Sequence, residues 1–450
     1  MTGLVIAPAV IMTARWVDDR SCPNEVLMEE KHITPQGVTV FLNENDTLHS
    51  FCLSLYMKAG SMYEKKKKNG ISHFFEHIVF RNIHHHRGQK LYQTLDRLGL
   101  TFNATTYNEL IRFTICGAPQ HFKEAAEILT EIFEPISLPE EEIDLERKRI
   151  LAEIREEKED ECVAYLGRKE TWRGTSLARS ITGGKKTLSD IQGEHLRRYQ
   201  EKKLSKGSFF FYVTGRLPED ALPSLTACIE RYPLQPQYPQ GWDNMAPQPE
   251  SFFHRTPQVY VQKGDDTEVF FGFDLDVTRY SIAELDLLYD ILFRGDYCRM
   301  YQELSEKKGY VYSYDPSSEQ YANIGQLKFI YQVQNSHLTD SVASVIEIFR
   351  QLREDIADSL DYVKPNYIDN AYALLDEVDD YNWIKAYEDK ILKTNYESMD
   401  DRIRAYQEVT PERMTQICRE IFRKENLVFA VQGNPDKIPV EELQKRIDEL

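Results

Sequence analysis

The two halves of this chain repeat one another on either side of a proline-rich stretch, and that duplication restricts the fold more than any single motif. Six of the 19 prolines fall between Tyr232 and Pro257, where apolar periodicity is weak. Proline fixes φ and carries no N–H, so the stretch predicts an extended, semi-rigid linker rather than a helix or a central strand. Before and after it the same order of patterns recurs. Strand-like runs Val38–Leu42 and Phe51–Met57 correspond to Val259–Gln262 and Val269–Leu275. A helix-like run follows each pair, His73–Arg81 in one half and Asp286–Arg294 in the other. Each half closes on an apolar strand and a glycine, Phe209–Gly215 and Leu427–Gly433. The offset from Arg81 to Arg294 nearly equals that from Gly215 to Gly433, as one duplicated unit requires. Strands, then helices, then a returning strand predict an α+β fold, with two homologous α+β domains in tandem and each sheet covered by helices on one side. The expected boundaries are an N-terminal extension over 1–28, a first domain over 29–232, the linker over 233–256 and a second domain over 257–450.

With 450 residues, 41% of them hydrophobic, the chain can fill two cores. Its net charge of −18 argues against nucleic acid or anionic membrane as a main partner, because both would repel it, and weakly favours cationic peptides. The apolar run Leu4–Met12 follows no basic residue, and no segment reaches the length of a membrane span. Seven dispersed cysteines (Cys22, Cys52, Cys116, Cys162, Cys228, Cys298 and Cys418) lack C-x-x-C spacing and read as reduced thiols. A soluble, cytoplasmic protein is expected.

The chemistry is concentrated in His73-Phe-Phe-Glu76-His77, inside the proline-free run Gly70–Phe80. Residues four apart share a helix face, so His73 and His77 can present imidazoles to one metal ion. Glu76 falls on nearly the same face and can work beside the ion without binding it. Chance produces H-x-x-E-H in roughly 3% of chains of this size and composition, so a third ligand must decide. The strongly helix-forming run Glu142–Glu157 carries an apolar stripe of Ile143, Ile150, Leu151 and Ile154. Glu153, between Ala152 and Ile154, stands inside that stripe, and Glu146 is two turns earlier on the same face. Glu156, Glu157 and Glu159 read as solvated.

Together with Ala59-Gly-Ser61 and Asn69-Gly-Ile-Ser72, this motif resembles the signature of the pitrilysin, insulysin and mitochondrial processing peptidase family. The family's third ligand lies downstream in an Ile-Leu-x-Glu-Ile context, with a second glutamate seven residues earlier. Ile150-Leu-Ala-Glu153-Ile and Glu146 match that arrangement. The resemblance implies one zinc ion per chain held by His73, His77 and Glu153, with Glu76 as general base and Glu146 supporting a ligand histidine. It also implies a zinc endopeptidase acting on short, extended peptides inside a clam-like chamber built from two such subunits. Gly99-Leu-Thr-Phe-Asn103-Ala104-Thr-Thr106 resembles the family's substrate-pairing edge strand, so Asn103 and Ala104 are expected to line the cleft.

The second half carries no metal set, since Asp286, Tyr289 and Asp290 stand opposite His73, Glu76 and His77. Tyr301–Tyr312 resembles the family segment whose arginine and tyrosine hold substrate across the chamber. Tyr312 matches, but Ser305 replaces the arginine. That departure predicts a heterodimer with a related subunit that keeps both residues, unless Lys307 or Lys308 substitutes in a homodimer. The competing function is a non-catalytic scaffold or peptide-binding subunit. His84-His85-His86 and Lys65–Lys68 are expected in solvated loops.

Overall fold

The computed structural model describes residues 29–157, 162–234, 245–394, 396 and 398–450. The N-terminal extension over 1–28 with Cys22, the linker positions 235–244 and Glu159 lie outside the described residues.

Eleven strands among the described residues form two sheets. The first contains β1 (Glu29–Ile33), β2 (Thr39–Glu44), β3 (Phe51–Met57), β4 (Thr101–Thr106), β5 (Ile111–Gly117) and β6 (Phe209–Gly215), in the order β1-β2-β6-β3-β5-β4. The second contains β7 (Val259–Lys263), β8 (Glu268–Leu275), β9 (Tyr314–Gln320), β10 (Gly325–Gln332) and β11 (Leu427–Gly433), in the order β7-β11-β8-β10-β9. Apart from β1 the two orders correspond strand for strand. In each, the returning last strand runs parallel to the first of the unit (β2 with β6, β7 with β11), and the other neighbours are antiparallel. The repeat seen in sequence is thus a repeat of topology.

Each sheet is covered on both faces, not one. All seven residues of β3 and of β6 are buried, and their sequences FCLSLYM and FFFYVTG lack the polar alternation of a half-wet strand. One face of the first sheet packs Leu53, Leu55, Phe113 and Phe211 against Phe74, Phe75 and Ile78 of the helix Ile71–Arg87. The other face presents Tyr56, Phe210 and Tyr212 to Trp383, Ala386, Tyr387 and Ile391, which come from the second half of the chain. Reciprocally, the first-half helix Val163–Thr171 lies on β8 and β11 of the second sheet, with Val163 against Phe270, Val428 and Ala430. The halves exchange helices, so their spatial boundary differs from the boundary along the chain.

Buried polar bonds fix this exchange. Asn382 is fully buried and donates to the carbonyls of Cys52 and Tyr212, while its own carbonyl accepts from Tyr56 and Arg112. Backbone acceptors and a tyrosine hydroxyl that would otherwise be stranded are thereby satisfied.

The linker's described second part is no free spacer. Ala246 and Phe252 are buried with Met62, Trp172, Leu177 and Tyr321. Arg255 forms a buried ion pair with Asp274 and donates to the Thr171 carbonyl. Proline removes helix and strand here, but Ala246 and Phe252 still bury apolar surface between the halves.

Candidate metal centre

The helix Ile71–Arg87 begins at Gly70 and is aimed by Glu64, a largely buried carboxylate. Glu64 accepts from the backbone N–H groups of Gly70 and Ser72 at 2.7 and 2.8 Å, and from the Asn69 side chain at 2.9 Å. These are among the N–H groups a helix start leaves without an internal partner, and a carboxylate is the best acceptor for them. Gly70 has φ of +93°, and a Cβ there would meet the Thr182 carbonyl at 2.6 Å. Glycine at this position lets the Ser180–Gly184 segment close over the helix start, where the Ser180 carbonyl accepts from Asn69.

His73 and His77 follow one turn apart, with ring centroids 4.7 Å apart. The helix Glu140–Glu157 brings Glu153 to them. His73 Nε2 lies 3.5 Å from Glu153 Oε1, and His77 Nε2 lies 3.6 Å from Oε2. Both separations are too long for hydrogen bonds. They are close to the spacing of about 3.4 Å that ligands at ~2.0–2.1 Å in a tetrahedral zinc site would keep from one another. The two imidazoles and one carboxylate also have the chemistry of a catalytic zinc set that leaves a position open, so the residues fit the ion.

The other ring nitrogen of His77 faces Glu146, with Nδ1 to Oε2 at 3.7 Å. Glu146 is buried and is held by Arg149 at 2.6 Å. A carboxylate at Nδ1 favours the tautomer whose Nε2 lone pair points at the metal position. Burial draws the His77 pKa down, but Glu146, Glu76 and Glu153 together outweigh it and the net shift is upward. Burial, with His77 nearby, lowers His73 to about 4, so it is neutral and ready to ligate at pH 7.

Glu76 lies beside this set without joining it. Its Oε2 accepts a hydrogen bond from the Thr106 hydroxyl, the last residue of β4. Burial raises its pKa, opposed by the Thr106 bond and by His77. A cavity of about 360 Å³ opens here, lined by His73, Glu76, Ala104, Thr105, Thr106, Arg168 and Ser180–Thr182. A larger one, about 710 Å³, lies among second-half helices near Arg294, Glu303 and Tyr362, and includes none of these ligands. The chemistry therefore sits in the smaller cavity.

Among the described residues β4 is an edge of its sheet, pairing with β5 alone. Of the two expected cleft residues, Ala104 borders the cavity, and Asn103 is exposed and not among its lining. Strand alternation turns Phe102, Ala104 and Thr106 towards the histidine helix and Asn103 and Thr105 to the other face, with Thr105, nearer the cavity, still bordering it. Tyr312 is fully exposed and Ser305 donates to the Val311 carbonyl; neither borders the cavity. Lys307 and Lys308 both face Glu303, at 3.1 and 3.9 Å.

The His84–His86 run is helical, not a loop, because no breaker precedes Gly88, whose φ of +59° ends the helix. Its rings diverge: His85 contacts Glu142, His86 contacts Ser137 and His84 packs on Tyr92. Lys66–Lys68 form a short 3-10 turn rather than a loop, with Lys66 and Lys67 exposed. In the second half, the place of His73 is taken by Asp286, which accepts from Tyr406 and lies 3.9 Å from Arg402.

One further metal-like group among the described residues is Cys52, Cys116 and Asp379. Arg112 already supplies the cation there, at 2.5 Å from Asp379 and 3.7 Å from Cys52, and burial pushes the Cys52 thiol up. Sequence reasoning missed Glu64, Thr106 and Arg168. Thr106 alone had a signal, as the threonine that ends the edge-strand motif.

A family model described as Insulinase (Peptidase family M16) matches residues 39–185, a span that holds Glu64, His73, Glu76, His77, Thr106, Glu146 and Glu153, and one described as Peptidase M16 inactive domain matches residues 190–364. The chain belongs to the M16 peptidase family. An M16 relative in Bacillus subtilis, named as an uncharacterized zinc protease YmxG, is 23% identical over 402 residues, spanning 88% of this chain and 97% of that protein. The mitochondrial-processing peptidase subunit beta of Mus musculus is 30% identical over 159 residues, 35% of this chain and 32% of that one. A protease from Helicobacter pylori shares the fold with a TM-score of 0.79 at 16% identity, covering 91% of this chain and all of that one. The M16 domain without metal ligands is the second half, where Asp286 and Asp290 stand in their place.

Proposed function

We propose that this M16 chain is a zinc-dependent endopeptidase that hydrolyses short, extended peptides. The observation that carries the reading is the placement of His73 Nε2 and His77 Nε2 at 3.5 and 3.6 Å from the two oxygens of Glu153. Zinc held there would polarise the scissile carbonyl and acidify the attacking water. The chain's own groups do the rest. An extended peptide pairs with the free edge of β4, which fixes its main chain next to the histidine helix. Thr106 occupies Glu76 Oε2, so Oε1 takes the water proton and returns it to the leaving amine. Burial raises Glu76's pKa, which helps it hold that proton between the two transfers.

A scaffold subunit would have no use for this set, whereas the retained base and three ligands suit catalysis. The partner proposed is a related subunit that supplies the arginine–tyrosine pair, since Ser305 is turned onto the Val311 carbonyl. A reducing, cytoplasmic setting is supported by six described cysteines that stand as thiols rather than in disulfides. No described helix is long and apolar enough to cross a membrane. The test is zinc content by atomic absorption beside hydrolysis of a quenched fluorogenic peptide. His73→Ala, His77→Ala and Glu153→Gln should lose the roughly one zinc per chain, while Glu76→Gln should keep it and lose hydrolysis. Zinc loss in Glu76→Gln with retention in Glu153→Gln would reverse the assignment.

A further inference from the structure

The helix Val163–Thr171 is pinned to the second sheet by one face. Val163 packs on Phe270, Val428 and Ala430, and a Cβ on Gly167 would come within 2.5 Å of the Phe270 ring. One turn on, the Thr171 hydroxyl accepts from Gln326 at 2.6 Å. With that face committed, Arg168 projects from the adjoining one and lines the cavity beside His73, Glu76 and Ala104–Thr106. Among the described residues it is the only lysine or arginine in that lining. Its guanidinium carbon lies 5.5 Å from the Tyr165 ring centroid, within the range of a cation–π attraction.

We propose that Arg168 makes the cleft select peptides that carry a carboxylate beside the scissile bond. This rests on the peptidase reading and deepens it. Nearer the ion position stand Glu76 and Glu153, with Glu146 behind His77 and already paired with Arg149 and Arg81, on a chain of net charge −18. Such surroundings would by themselves attract cationic peptides. A guanidinium inside the cavity reverses the preference locally, because its fork matches a carboxylate through two parallel hydrogen bonds. Near contact outweighs the distant surface charges, which solvent and salt screen. The carboxylate has two sources, an acidic side chain or the peptide's own C-terminus.

The test uses zinc-loaded full-length protein carrying Glu76→Gln, with and without Arg168→Gln or Arg168→Glu. Binding of fluorescent peptides that differ only in Glu, Gln or Lys at one position is read by anisotropy, each peptide with a free or amidated C-terminus. The same panel is then cleaved with the Glu76 protein. The expected result is a Glu-to-Gln affinity ratio of at least about tenfold, lost in Arg168→Gln and turned towards Lys in Arg168→Glu. Because each ratio is taken within one variant, partial unfolding cancels. Preference that follows the amidation assigns the C-terminal carboxylate, and preference that follows Glu assigns the side chain. Ratios unchanged by Arg168→Glu would overturn the proposal alone. Failure of every peptide to bind the Arg168 protein would overturn the peptidase reading beneath it as well.

Discussion

Glu109 should make the join between the two halves weaken as pH rises from about 4.5 to about 7. It follows β4, is only 4% exposed, and accepts from the Tyr387 hydroxyl of the exchanged second-half segment. The same hydroxyl lies 2.7 Å from the Gln320 carbonyl. One hydroxyl proton cannot serve two acceptors. A protonated Glu109 resolves this by donating to Tyr387, which then donates to Gln320. Burial accordingly pushes Glu109 up from 4.5 to about 7, with Tyr387 opposing and Glu319 adding. Between those pH values the folded state holds a proton that the unfolded state has lost, so stability is full below about 4.5, falls as pH rises and levels off above about 7. At 1.36 kcal/mol per pH unit the full loss is about 3 kcal/mol. Unfolding entropy of about 2 cal/mol/K per residue converts this to a Tm difference of about 3 °C for a chain of this size. Glu109→Gln is neutral throughout and keeps a donor for Tyr387, so its Tm relative to the parent should climb by that amount from pH 4.5 to 8. Taking the difference removes every other titrating group. A difference that stays flat, or falls with pH, would refute the reasoning.

Asn382→Ala strands the Cys52 and Tyr212 carbonyls and removes the acceptor of Tyr56 and Arg112. It should cost about 2–4 kcal/mol in thermal or urea unfolding. Gly167→Ala drives a methyl to within 2.5 Å of the Phe270 ring and should cost about 1–3 kcal/mol, with Phe270→Leu restoring part of it. Glu64→Ala removes the acceptor at the start of the histidine helix and should weaken zinc affinity about tenfold or more, measured by competition with a chelator. Adding a related subunit that carries the arginine–tyrosine pair should raise peptide turnover well above that of this chain alone. High turnover by the chain alone, unaffected by Ser305→Arg or by the partner, would rule out the heterodimer.

The sequence by itself determined what depends on local spacing. Two histidines at i and i+4 on a breaker-free run must share a helix face, and a glutamate in the apolar stripe of Glu140–Glu157 must point where that helix packs. Duplicated strand patterns likewise dictated duplicated sheets, since β2, β3 and β6 recur as β7, β8 and β11. Tertiary structure alone decided what depends on contacts between distant segments. The exchange of Val163–Thr171 and the segment around Asn382 had only an indirect trace, strands apolar on both faces, which says that a cover exists and not which helix supplies it. Asn103 and Arg168 show the same division. Strand alternation turned Asn103 away from the histidine helix once β4 was placed against it, and Gly167 turned Arg168 into the cavity by pressing its helix onto Phe270. Neither direction is written in spacing, because each is set by the element on the other side of the contact.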